Sequence, residues 1–197
     1  MKYTVTITRQ FGSLGRPIAH ELSQLLGIKY YDRDIVEETS AKTNMPKSVI
    51  SDTEERAKSR FWRMKYPLGR NTTDLQDQIF AVQKDTILDI YKKESAIIVG
   101  RCSDYILEDM EHTLHIYIYA PYRDRYRNCI NALHMGETET VDMIHEVDRA
   151  RDAYHMAYAR YLPSDPVHKD LLSNSSMLGV EGTAKYLADL VKMKFRA

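Results

Sequence analysis

The sequence predicts an α/β protein with a mainly parallel sheet, on three observations. Five short runs rich in Val, Ile, Leu, Thr and Tyr alternate with longer stretches of helical periodicity. Such alternation is typical of right-handed strand–helix–strand units with helices on both faces of one sheet. The chain has 197 residues, enough for one domain with a sizeable core. Glycine-bearing and polar segments directly follow several of the apolar runs, where parallel sheets bind their ligands.

The first part of the chain is predicted to be a strand, a turn, a helix and a second strand. Residues 4–8 are a β-branched run, and the helix that follows carries Pro17 in its first turn, where a fixed φ is favourable. The apolar stripe of that helix consists of Ile18, Leu22, Leu25 and Leu26. Gly27 is expected to cap the helix, because glycine adopts the left-handed conformation easily. Residues 28–31 are the second predicted strand.

The rest of the chain continues the alternation after one polar excursion. Residues 39–76 are charged and are predicted to be a helical insertion, with a long helix over 74–93 behind it. Residues 96–100 form a continuous apolar run, typical of a strand buried on both faces. Residues 114–120 alternate apolar side chains with His and Tyr, so one face of that strand is expected to be less buried. The remaining predictions are helices over 122–134 and 139–161, a strand at 171–172 and a closing helix with Ala184, Leu187 and Val191 on one side.

The turn from Gly12 to Arg16 is the most informative segment. A strand that passes through glycines into a helix presents backbone N–H groups and the positive end of a helix dipole, which together favour a phosphate. A full Walker A motif, G-x-x-x-x-G-K-[ST], would place Gly at position 10, Lys at 16 and Ser or Thr at 17. This chain has Gln10, Arg16 and Pro17 there. The turn therefore argues more strongly for holding a phosphorylated ligand than for chemistry on it.

Composition narrows the classes of partner. Lys plus Arg and Asp plus Glu are equal at 28 each, which argues against a protein that coats nucleic acid or an anionic membrane. No apolar stretch approaches the roughly 18 residues of a membrane span, and no leader pattern precedes the first strand. Cys102 and Cys129 show neither a metal-binding spacing nor a disulfide framework. The expected location is the cytoplasm.

Four segments, in order, carry a resemblance to a known family. They are Ile7-Thr8-Arg9-Gln10-Phe11-Gly12-Ser13-Leu14-Gly15-Arg16, Tyr30-Tyr31-Asp32-Arg33-Asp34, Ile98-Val99-Gly100-Arg101, and Leu172 to Gly179 with Glu181-Gly182. Together they resemble the cytidylate-kinase-like family of P-loop proteins along nearly the whole chain. The resemblance implies a three-layer nucleoside monophosphate kinase fold over residues 1–197, with five parallel strands in the order 2-3-1-4-5. It also implies a helical monophosphate-binding insertion at 39–76 and a lid at 135–168.

The resemblance further implies an ATP-dependent phosphotransferase that uses Mg²⁺ and a nucleoside monophosphate acceptor. The donor phosphates would lie on Gly12, Ser13, Leu14, Gly15, Arg16 and Pro17. Arg101 would hold the acceptor phosphate, with Asp32 and Asp104 also binding substrate. Arg149 and Arg151 resemble lid arginines that close over the phosphates. Arg16, Arg101, Arg149 and Arg151 are therefore the candidate catalytic residues.

Departures from the family pattern leave other functions open. Pro17 has no hydroxyl for Mg²⁺, so the metal would need Ser13 or a water held by Asp32 or Asp104. Leu14 stands where the family has a second glycine and restricts the turn. No dedicated metal site is predicted from the side chains. The alternatives are a non-catalytic nucleotide sensor, a kinase for another small acceptor, and a protein-interaction module that has lost its ligand.

Overall fold

The structure is a computed structural model that describes residues 1–32, 35, 41–42 and 73–196. Most of the predicted insertion at 39–76 lies outside the described residues. The strands are β1 (Thr4–Arg9), β2 (Lys29–Tyr31), β3 (Ala96–Val99), β4 (Thr113–Tyr119) and β5 (Leu171–Asn174). The described helices are α1 (Gly15–Leu26), α2 (Thr73–Lys93), α3 (Ser103–Ile106), α4 (Tyr122–Asn131), α5 (Glu137–Ala159) and α6 (Gly179–Phe195), with a 3₁₀ turn at Pro166–His168.

The five strands form one parallel sheet in the order β2-β3-β1-β4-β5. This confirms the predicted α/β class and the predicted order. The central strand β1 pairs with β3 on one side and β4 on the other, so Thr4 lies between Ala96 and Thr113. Because all strands run the same way, their carboxyl ends meet at one edge of the sheet. The loops after β1, β2 and β3 are thereby brought together.

One face of the sheet carries a continuous apolar core. Alternate residues of β1, β3 and β4 point towards α1 and α6, and the resulting cluster includes Val5, Ile97, Ile116, Leu22 and Leu187, each fully buried. The amphipathic stripe predicted for α1 is largely correct, although Leu25 is 43% exposed. Gly27 caps α1 at φ 64, and its N–H donates to the carbonyls near the helix end as expected.

The opposite face of the sheet is partly polar, and the face of β4 that carries His115, Tyr117 and Tyr119 is slightly less buried than the apolar face, as predicted, with only Tyr119 half-buried. His115 and Tyr117 of β4 are buried, and every residue from Thr113 to Ile118 is buried. The hydroxyl of Thr6 on β1 lies 2.8 Å from His115 Nδ1 and gives the ring a partner. Burial lowers the pKa of His115 and favours the neutral ring. A polar side chain with a cross-strand hydrogen bond does not need solvent.

Helix and strand ends differ from the predictions by a few residues. The helix predicted to end at 134 ends at Asn131, and the one predicted over 139–161 spans Glu137–Ala159, where Arg160 takes a left-handed conformation. The last strand extends to Asn174. None of the described helices is both long and apolar enough to span a membrane.

Candidate active site

The turn between β1 and α1 is tightly packed against α4 and β1. Gly12 has φ +76, and a Cβ there would lie 2.8 Å from the carbonyl oxygen of Arg125. A Cβ added to Gly15 would lie 2.8 Å from Arg9 Cβ. Leu14 adopts φ 58, a left-handed conformation that favours glycine. The turn thus needs its two glycines and holds Leu14 under mild strain.

Several amides of this turn remain available to a ligand. Within the described part of the chain, the N–H groups of Gly12, Leu14 and Gly15 donate to no protein acceptor. They lie at the positive end of α1, whose first turn holds no acidic residue. Amides at such a position suit an anion, and the phosphate-binding role of the turn stays a prediction.

Asp32, just after β2, organises a group of arginines. Its carboxylate is 2% exposed and lies 2.6 Å from Arg16 Nε, 3.6 Å from Arg101 Nη2 and 4.0 Å from Arg9 Nη2. The Tyr30 hydroxyl also donates to it at 3.1 Å. Three guanidinium groups thus converge on this buried carboxylate. Guanidinium groups form strong, charge-assisted hydrogen bonds to anions such as phosphate.

Arg9 belongs to this group, and the sequence analysis did not identify it as a site residue. Its side chain is 5% exposed at the carboxyl end of a strand whose other residues are buried Thr, Val and Ile. Charged residues are seldom fully buried without a specific role. An arginine that ends an otherwise buried strand was therefore the available signal.

The turn after β3 is backbone-strained and accommodates Arg9. Gly100, Arg101 and Cys102 have φ values of +75, +61 and +52. A Cβ on Gly100 would overlap Arg9 Nη1. Left-handed conformations at non-glycine residues are unfavourable and tend to persist at functional sites. The strained turn directs Arg101 towards Asp32.

A cavity lies at the carboxyl edge of the sheet beside these arginines. Its walls come from the ends of β1 and β3, from α5 and from the segment after it. The lining residues are Thr8, Arg9, Gly100, Arg101, Cys102, Ala150, Arg151, Tyr154, His155 and Pro163. No residue from Gly12 to Arg16 lines this cavity. Arg9, which lines the cavity, and Arg16, which belongs to the turn, both contact Asp32.

The two predicted lid arginines are placed differently. Arg151 lines the cavity, and its Nη1 donates to the carbonyl of Arg9 at 2.9 Å. Arg149 is exposed and does not line the cavity. Its contact with phosphates stays a prediction.

Asp104 lies behind the cavity in a buried ionic cluster. Its carboxylate accepts hydrogen bonds from His155 Nε2 at 2.9 Å and from Lys169 Nζ at 2.6 Å. Burial alone would raise the pKa of Asp104, but the hydrogen bond from His155 and the charges of His155 and Lys169 outweigh it and lower the pKa to about 2. These contacts are all internal, so the role predicted for Asp104 in substrate binding stays a prediction without a geometric argument.

The described residues do not fit a Mg²⁺ site built on side chains. Ser13 is buried and its hydroxyl donates to the Gln10 carbonyl at 2.9 Å. The oxygens of Asp32 face guanidinium groups, and those of Asp104 face His155 and Lys169. No group of three His, Cys, Asp or Glu side chains suited to a metal occurs in the described part of the chain.

The sheet order β2-β3-β1-β4-β5 is that of P-loop kinase structures. Residues 4–177 match the cytidylate kinase-like family, and the chain belongs to that family. A search of curated protein sequences finds no match.

Three solved structures illustrate the fold. An uncharacterized protein from Eubacterium ventriosum has 19% identity and a TM-score of 0.69, with 100% of this chain and 99% of that one covered. A shikimate kinase from Bacteroides thetaiotaomicron has 8% identity and a TM-score of 0.56, with 99% of each chain covered. A sugar kinase from Janibacter sp. HTCC2649 has 13% identity and a TM-score of 0.53, with 98% and 94% covered. At these identities the likeness concerns the fold.

Proposed function

We propose that this protein binds ATP at the turn from Gly12 to Arg16 and transfers its γ-phosphoryl group to a nucleoside monophosphate. The observation that carries the proposal is the group of Arg9, Arg16 and Arg101 around the buried carboxylate of Asp32. Phosphoryl transfer needs alignment and positive charge around a spreading negative charge more than it needs covalent chemistry. The arginine group supplies that charge between the turn and the cavity.

The role proposed for each residue of the turn and for Asp32 follows from its position. The amides of Gly12, Leu14 and Gly15 and the side chain of Arg16 would hold the donor phosphates, with Ser13 and Pro17 shaping the turn. In the reaction the bond from the γ-phosphorus to the β–γ bridging oxygen breaks, and a bond to an acceptor phosphate oxygen forms. Asp32 would hold the arginines in place and contact the substrate through them.

Arg101 and Arg151 face the cavity and would bind the acceptor phosphate. Arg9 would act with them, since it also lines the cavity and approaches Asp32. Guanidinium groups suit this role because they offer planar, forked donors to phosphate oxygens. Tyr154 and His155 complete the wall and would exclude water from the reacting atoms.

The first experiment tests binding and turnover separately. The melting temperature is measured with a panel of nucleoside mono-, di- and triphosphates, with and without Mg²⁺, and ATP should raise it. Arg16→Ala should then lower turnover in a coupled ADP assay by about a hundredfold or more, because a preorganised cation is lost. Arg123→Ala, on the exposed side of α4, is the matched control. Wild-type turnover in Arg16→Ala would reject the assignment.

One specific observation favours a second function, a nucleotide sensor without catalysis. Position 17 has no hydroxyl, and both Asp32 and Asp104 are engaged by cations, so the described residues offer no anchor for Mg²⁺. A sensor would bind ATP by calorimetry and release no ADP with any nucleoside monophosphate. A kinase for another small phosphorylated acceptor would release ADP with that acceptor alone.

A further inference from the structure

Side chains of α4 and α5 hold the backbone of the β1–α1 turn at several consecutive peptide groups. Asp148 Oδ1 on α5 accepts the N–H of Phe11 at 2.7 Å. Arg125 Nη1 on α4 donates to the carbonyl of Phe11 at 3.3 Å and also forms an ion pair with Asp148. One ion pair therefore binds both polar groups of a single residue. We call Arg125, Asn128 and Asp148 the turn clamp.

Asn128 extends the clamp to the next peptide group. Its Nδ2 donates to the carbonyl of Gly12 at 2.9 Å. α4 lies so close at this point that a Cβ on Gly12 would be 2.9 Å from Cys129 Sγ. Ser175, after β5, donates to the carbonyl of Ser13 at 2.7 Å. The carbonyls of Phe11, Gly12 and Ser13 are thus each held by a different side chain.

The orientation of these carbonyls determines where the amides point. A trans peptide group is planar, so the N–H of each residue is directed opposite to the carbonyl of the residue before it. No cis peptide occurs in the described part of the chain. With the Phe11 carbonyl turned to Arg125 and the Ser13 carbonyl to Ser175, the amides of Gly12 and Leu14 point away from those partners. These are two of the amides without a protein acceptor.

We infer that Arg125, Asn128 and Asp148 are positioning residues that fix the peptide groups of the turn so that its free amides face the donor phosphates. This inference rests on the proposed function. A second glycine at position 14 would leave the turn flexible, whereas Leu14 restricts it. The side chains of the clamp then select one orientation of the peptide groups from outside the turn. None of the three residues needs to touch the nucleotide.

The clamp is embedded well enough to act as a rigid support. Arg125 is 8% exposed, and the two clamp helices pack against each other. A charge pair shielded from water holds its geometry more strongly than an exposed pair. The ion pair between Arg127 and Asp124 lies on the same helix, with Arg127 exposed, and forms no hydrogen bond to the turn among the described residues. It therefore offers a matched control.

The test uses Asp148→Asn and Asn128→Ala in the full chain, with Arg127→Ala as control. Asp148→Asn keeps the shape and one oxygen but loses the charge, and Asn128→Ala removes one neutral donor, so both are expected to fold. Hydrogen–deuterium exchange of a peptide covering residues 9–16 should be faster in both variants. ATP affinity by titration calorimetry, measured well below the melting temperature, should fall by about tenfold. Arg127→Ala should match the wild type in both measurements.

Each other outcome has a distinct meaning. Unchanged exchange in the clamp variants overturns the inference, because the side chains then do not hold the turn. Faster exchange with wild-type ATP affinity also overturns it, because the contacts are then merely structural. A wild-type protein that gives no heat with ATP rejects the proposed function itself and the inference with it. A lower melting temperature alone counts against a positioning role, since affinity would be unaffected.

Discussion

At the scale of single residues, Gly100 shows how closely the site is built around Arg9. Its φ of +75 suits glycine, and the space where a Cβ would lie is filled by the Arg9 guanidinium. Arg9 in turn approaches Asp32, so one small residue controls the position of a cation. The position of Arg9 at the end of a strand was visible in the sequence, but its contacts with Gly100 and Asp32 come from residues distant along the chain.

Gly100→Ala should destabilise the protein more than Gly27→Ala does. Gly27 also has a positive φ, but nothing lies within 4 Å of an added Cβ, so its substitution carries only the backbone strain of about 1–2 kcal/mol. Gly100→Ala adds the displacement of Arg9, worth about 1–3 kcal/mol more by analogy with overpacking. Urea unfolding of the two variants gives the comparison. Equal losses would mean that Arg9 moves aside freely.

At the scale of elements, α1 serves two purposes at once. Its N-terminus carries the turn, and its apolar face packs on the sheet and on α6. The pattern of Ile18 and Leu22 was readable in the sequence because a helical stripe is a local property. That Leu25 lies outside the core depends on the angle at which α1 meets the sheet and α6, which local spacing does not specify.

Leu22→Ala should lower the free energy of unfolding by about 2–5 kcal/mol, because it leaves a cavity in the core. Leu22 is fully buried, whereas Leu25 is 43% exposed on the same helix. Leu25→Ala changes helix propensity in the same way and should stay within about 0.5 kcal/mol of wild type. The denaturant midpoints of Leu22→Ala and Leu25→Ala, each compared with the wild type, measure this difference. Similar losses would show that α1 packs differently from the structure.

The long helix α5 illustrates what an element-level prediction misses. Region 135–168 was predicted to be a lid, and that assignment stays a prediction. Asp148 and Arg151 of α5 bind the backbone of Phe11 and Arg9. Any closing motion of α5 as a rigid body must therefore carry the turn with it or break these contacts.

At the scale of the whole molecule, one buried cluster ties distant parts of the chain together. Asp104 on α3 meets His155 on α5 and Lys169 before β5. Both ring nitrogens of His155 face oxygens, since Nδ1 lies 2.9 Å from the Tyr161 carbonyl. A singly protonated ring satisfies one of these oxygens and the imidazolium satisfies both. Buried charges of this kind are expected only with such partners.

Stability should fall in acid because of Asp104. Its pKa is lowered from 3.8 to about 2, so its stabilising contribution is complete above about pH 4 and is lost as the pH falls through 2. The shift corresponds to about 2 kcal/mol. The gap in unfolding free energy between wild type and Asp104→Asn should narrow by that amount between pH 5 and pH 2.

Urea unfolding across this pH range measures the gap. Asp109→Asn, which removes an exposed carboxylate from the same segment, controls for the loss of one charge. A gap between wild type and Asp104→Asn that stays constant from pH 5 to pH 2 would contradict a lowered pKa.

The sequence by itself determined the α/β class, the strand positions, the glycine-bearing turn and the place of Arg101 after β3. These follow from local periodicity, turn chemistry and a resemblance carried by contiguous motifs, and none of them requires knowledge of contacts between distant residues. Only the tertiary structure decided that Arg9 joins Arg16 and Arg101 at Asp32, and that His115 and Tyr117 are buried. The physical reason is that burial and ion pairing depend on which side chains meet across the fold. Asp104 and Lys169 lie 65 positions apart, and no local pattern records their contact.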